Sequence, residues 1–257
     1  EASATNFTGT STITNTLSLT SSGDITDSAG TTLSVTNAAT FSAAGNTITL
    51  GDNGGDTTNF GSINATATTV TLTEDSASEI DGITATTLNL TSAGAITDST
   101  SATIAVGGTA TLVATGNAIT LGDSGGTDTT NFGTLDFSGA AVTITEDSSM
   151  QIAESEATGA LVLTTSGNDI TQTGRIDANS TSSITAGAAA ITLDQNTNDF
   201  TGAVSLSNSG ANNVEVRDTN DLDLGTVSIG QNLTVVAGIA GGTGLITDSG
   251  TITVGGT

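Results

Sequence analysis

The sequence predicts an all-β protein folded as a right-handed parallel β-helix, that is, a β-solenoid of short strands. Three observations predict it. The first is recurrence: Leu17–Asp27 (LSLTSSGDITD) returns 71 residues later as Leu88–Asp98 (LNLTSAGAITD), Asn46–Asp52 returns after 71 as Asn117–Asp123, and Val70–Ser76 returns after 72 as Val142–Ser148. A long, nearly constant period marks a repeat architecture. The second is alternation. Leu17-Ser-Leu19, Leu33-Ser-Val35, Ile48-Thr-Leu50 and Val70-Thr-Leu72 place apolar residues two apart with Ser or Thr between them, which sends the apolar side chains to one face of a strand and the hydroxyls to the other. The third is what is missing: the chain has no Pro, Cys, Trp or Tyr. Pro would remove a ladder hydrogen bond in almost every strand.

The elements follow in order. Apolar anchors fall at Leu17, Ile25, Leu33, Phe41, Ile48, Phe60, Val70, Ile80 and Leu88, and Gly, Asn, Asp and Ser interrupt the strands between them. The strands should therefore be about three to six residues long, joined at corners. No stretch keeps a helical apolar period, and Gly and Thr lower helix propensity further, so almost no helix is expected. The alternative architecture is an array of small β-sandwich domains, although a unit of this length is short for an immunoglobulin-like domain. The favoured organisation is one continuous solenoid over residues 1–257, with units at about 17–87, 88–160 and 161–232 and a partial unit at 233–257. Each unit should make roughly three coils spaced ~4.8 Å apart. The opening residues read as the end of a unit and the last ones stop in mid-unit, which suggests an excerpt from a longer chain or a processed subunit.

Composition excludes several functions. Two basic residues, Arg175 and Arg217, stand against 26 acidic ones, for a net charge of −24. Such a chain repels phosphate, so no nucleic-acid partner is expected, and no apolar run is long enough to span a membrane. With no His and no Cys, the commonest general base, the thiol nucleophile and the usual zinc ligands are gone.

One loop varies in length. It runs from Leu50 to Phe60, from Leu121 to Phe132 and, shorter, from Leu193 to Phe200, the behaviour of a surface corner. Asp52, Asp56, Asp123 and Asp128 in the two longer copies are hard oxygen donors and the candidate ligands of a structural calcium ion. They match neither the tandem nonapeptide of calcium-binding β-rolls nor an EF-hand; solvated acidic turns are the other reading. No other cofactor is expected.

Glu74-Asp75 and Glu146-Asp147 recur one unit apart, and the third unit has Asp218-Thr219. A carboxylate pair could serve glycoside hydrolysis, but adjacent acids on a strand point to opposite faces, and no basic or aromatic residue recurs nearby to grip a sugar. A structural corner is the better reading, and no enzyme activity is expected. Thr-x-Thr phrases such as Thr47-Ile-Thr49 could form a flat face of the ice-binding kind, but their irregular sequence spacing argues against it. Five Asn-x-Ser/Thr sequons, at Asn6, Asn64, Asn89, Asn179 and Asn232, are what chance provides in so Thr-rich a chain.

The phrases Asn198–Leu206, Asp221-Leu-Asp-Leu-Gly225, Leu233-Thr-Val235 and Ile246–Thr257 resemble the repeat regions of large bacterial surface exoproteins, the filamentous-haemagglutinin-like and related β-strand-repeat adhesins. The resemblance implies a right-handed parallel β-helix, secretion to the bacterial cell surface, and a role as stalk, matrix fibre or adhesin. The expected function is thus a structural, non-catalytic rod segment that self-associates end to end. Binding of a surface polysaccharide, or less favourably of ice, is the alternative.

Overall fold

A computed structural model describes residues 3–122, 127–239 and 244–256. Every regular element among them is a β-strand, and every strand pair whose register is described is parallel. The chain is a β-solenoid of about eleven turns. The parallel ladders exclude the sandwich array, whose sheets are antiparallel. Two compact units divide the chain, Glu1–Gly133 and Thr134–Thr257.

In the first unit, period-two alternation becomes columns of stacked side chains. Ile25 pairs with Ile48, Ile48 with Val70, Val70 with Leu88 and Leu88 with Ala110. A second column runs Leu19, Phe41, Ala65, Ile83, Ile104. From Phe41 to Ile104 its members are at most 1% exposed. Aliphatic side chains stack on aliphatic ones from coil to coil, with Phe41 and Ala65 as the largest and smallest neighbours in the second column. Phe41 also meets Phe60, ring centroids 5.4 Å apart and planes tilted by 60°, the edge-inclined geometry that aromatic pairs favour.

The second unit repeats the arrangement with other residues. Leu163 pairs with Ile184 and Ile184 with Leu206. Met150, Ile170, Ile191 and Val214 form the adjoining column.

Strand length departs from expectation. Many strands are three to six residues, but Thr32–Leu50, Thr57–Glu74 and Ile96–Ala114 run to 18 or 19. The reason lies at the corners. Where two successive coils bend at matching points, pairing continues around the bend and the ladder shifts register there, as between Val35 and Ala38 and between Ala43 and Thr47. Such irregularities re-aim a strand without ending its pairing.

Two glycines show how tight those corners are. A Cβ on Gly61 would lie 2.3 Å from the Thr36 carbonyl oxygen of the preceding coil. Gly51 combines φ of +73° with a site where a Cβ would lie 2.2 Å from the Thr73 oxygen, a conformation and an approach open only to glycine. Ser101 is the one non-glycine residue with positive φ (72°) among the described residues, and it stands 71 positions after Gly30, whose φ is 77°.

Candidate functional site

The acidic residues are organised around backbone N–H groups of neighbouring coils. A coil corner leaves amides outside the ladder, and a buried amide needs an acceptor. Asp27 Oδ2 accepts from Gly51 N–H at 2.9 Å, and Asp24 Oδ1 from Thr47 N–H at 2.9 Å. Asp56 Oδ1 accepts from Thr31 N–H at 3.0 Å while its Oδ2 accepts from Asn53 N–H at 2.9 Å. Asp98 bonds Gly122 N–H at 2.8 Å, one repeat after Asp27 bonds Gly51.

The four predicted calcium ligands divide. Asp52 and Asp56 come together at the first corner loop. The structure adds Asp27, which sequence reasoning passed over; one ligand atom from each of the three lies within 4.8 Å of the others. Asp27 is 8% exposed, Asp56 is half-buried and Asp52 is exposed. Burial pushes the Asp27 carboxyl up and the charges of Asp56 and Asp52 push it further, against the Gly51 N–H. Asp128 at the second loop takes the place of Asp56 and accepts from the N–H groups of Ser101 (2.6 Å) and Ala102 (3.1 Å). Asp123 lies outside the described residues. A signal for Asp27 was present: two residues from Ile25, it occupies an inward position, and the Ile-Thr-Asp triplet returns at Asp98.

The recurring Glu-Asp pairs occupy another corner. Glu74 is 1% exposed and its Oε1 accepts from Phe60 N–H at 2.7 Å; Asp75, at the surface, accepts through Oδ2 from Thr58 N–H at 2.8 Å. Asp218 is fully buried and accepts from Phe200 N–H at 2.8 Å and Asn220 N–H at 2.6 Å. Glu146, also fully buried, accepts from Ser148 Oγ at 2.8 Å.

The family model described as repeats of unknown function (DUF5649) matches residues 1–64, 67–137, 139–207 and 211–257. The chain belongs to this family. Its last three DUF5649 repeats start 72 residues apart, and Glu74, Glu146 and Asp218 each fall seven residues after a start. A buried acid thus recurs at one position in the last three of the four matched DUF5649 segments. No curated protein and no solved structure matched the chain.

Burial dominates the ionisation of these acids. It raises Glu74 from 4.5 to about 7, with Asp75 adding like-charge repulsion and the Ser78 side chain and Phe60 N–H opposing. Asp218 is also raised, by burial first. Between pH 4.5 and 7 the folded chain holds the Glu74 proton that the unfolded chain has released. Stability from this group is thus full below the unfolded value and falls as pH rises toward the folded one, by roughly 3 kcal/mol. Glu74→Gln keeps the oxygen that Phe60 needs and removes the charge. It should melt above the wild type at pH 8 and level with it at pH 4, as read by circular dichroism. An equal difference at both pH values would contradict the assignment.

The second unit holds a polar cluster that the sequence reading missed. Asn198 is fully buried. Its Oδ1 accepts from Ile176 N–H at 3.0 Å and Gln172 Nε2 at 2.8 Å, and its Nδ2 donates to Gln172 Oε1 at 2.9 Å and the Leu193 carbonyl at 3.3 Å. Both arginines are paired, Arg175 with Asp177 and Arg217 with Glu215, each at 2.7 Å. No helix among the described residues is long and apolar enough to cross a membrane.

Proposed function

We propose that the chain is a structural, non-catalytic segment of an extracellular surface adhesin or fibre, and that it self-associates. The supporting observation is the use made of the recurring acids. The residues with the best claim to chemistry, Glu74, Asp75 and Asp218, accept hydrogen bonds from corner backbone N–H groups, and two of them are closed to solvent. A repeat whose recurring acids fasten its own corners is suited to being stacked.

Analytical ultracentrifugation of the 257-residue chain tests this. Concentration-dependent oligomers are expected. A chain that stays monomeric at every concentration would refute self-association.

A second reading, binding of a surface polysaccharide, rests on one observation. Outward hydroxyls of the second unit stack in register, Thr145 on Thr164, then Thr185, Ser207, Ser228 and Thr253. Beside them is a shallow hollow of about 280 Å³ lined by Ser183, Thr185, Ser205, Ser207 and Thr226. The in-register hydroxyls also keep ice as the lesser variant of this reading.

A further inference from the structure

Three carboxylates converge at the corner formed by Asp27, Asp52 and Asp56, and two observations make it more than an acidic turn. First, Asp27 is more than nine-tenths buried, and its Oδ1 has no hydrogen-bond partner. The other oxygen is held by Gly51 N–H, which orients the carboxylate at the base of the loop. A buried carboxylate oxygen without a donor is costly, and two further carboxylates nearby add to the cost. Second, Thr58 Oγ1 is also buried without a partner. It abuts Gly51, where a Cβ would come within 2.9 Å of it. A side chain at Gly51 would crowd this oxygen, and glycine leaves it room.

We propose that this corner is a calcium site, with Asp27, Asp52 and Asp56 as its carboxylate ligands. The three donor atoms lie within 4.8 Å of one another, and oxygens on opposite sides of one calcium ion, each at about 2.3–2.6 Å, are separated by about that distance. The donors are all hard oxygens, which rules in calcium and magnesium over softer metals. Magnesium requires a strict octahedron at about 2.0–2.1 Å and surrenders its water reluctantly, so a corner offering three protein carboxylates favours calcium. Backbone carbonyls and water at the exposed mouth beside Asp52 complete the shell. Asp56 is already oriented by Thr31 and Asn53 N–H groups, so the loop is shaped before the ion arrives. The ion would neutralise the repulsion that the three acids impose on one another and fasten the loop to the coil that carries Asp27.

Isothermal titration of the chelator-treated full chain with CaCl2 in about 0.15 M NaCl, where surface electrostatics are screened, decides the matter. Wild type is expected to show saturable calcium binding. Asp52→Asn, at an exposed position, should retain the wild-type circular dichroism and lose one calcium equivalent; Asp27→Asn should lose the same equivalent. Chelator should lower the melting temperature of wild type and leave that of Asp52→Asn unchanged if this is the only corner that binds. Weak, unsaturable uptake by wild type would overturn the proposal, as would an undiminished calcium count in Asp52→Asn. Tighter binding of MgCl2 than of CaCl2 would overturn the choice of ion.

Discussion

Asn198→Ala should destabilise the unit Thr134–Thr257 by at least about 3 kcal/mol, since each of three buried polar groups stripped of its partner costs about 1–3 kcal/mol. The substitution leaves the Ile176 N–H, Gln172 Oε1 and the Leu193 carbonyl without the bonds they make to the Asn198 amide. Water cannot replace the lost group easily, because Asn198 is fully buried. Gln172→Ala should cost less. Gln172 is 7% exposed, and its loss leaves Asn198 still bonded to Ile176 and Leu193. Urea denaturation reads the order of the two variants; Asn198→Ala within about 1 kcal/mol of wild type would remove this cluster from the account of stability.

The second large effect belongs to the first unit. Phe41→Ala should cost about 3–5 kcal/mol, the usual range for deleting a buried aromatic ring. The side chain is fully buried, lies between Leu19 and Ala65 in its column, and contacts the ring of Phe60. Ala65 is too small to fill the gap, and the coils cannot close over it without disturbing the ladder on either side. In a stacked repeat the loss is felt first by nearest neighbours. Hydrogen exchange should therefore quicken in Leu17–Thr20 and in residues 63–66, which pair with the Phe41 strand. Unchanged exchange there, with an unchanged melting temperature, would contradict the prediction.

Much of the fold could be read from residue spacing. The inward columns are the Leu-x-Leu and Ile-x-Leu pairs, because alternation alone decides which face a strand residue occupies. Corner behaviour was less legible. Thr32–Leu50 contains Asn37 and Gly45, residues that ordinarily break a strand, yet pairing persists because the adjacent coil bends at the same places. That depends on two distant segments together, and no local pattern encodes it. The same limit hid the polar cluster: Asn198 resembles a loop residue until Gln172, 26 positions earlier, is placed beside it. For the candidate metal corner, composition pointed to Asp52 and Asp56, while Asp27 belongs to the previous coil and joins them only through stacking.

The apolar columns have a further consequence. Ile48, Val70, Leu88 and Ala110 succeed one another in a single column, so almost any aliphatic side chain is an acceptable neighbour for the next. Greasy contact alone would barely distinguish correct stacking from stacking displaced by one whole coil. The carboxylate at Asp27 makes the distinction, because it must find the Gly51 N–H of the next coil; displaced by a coil, it would lose that donor. The inward acids thus act as alignment marks, scarce and individually unfavourable, that let a monotonous chain count its own turns while it folds.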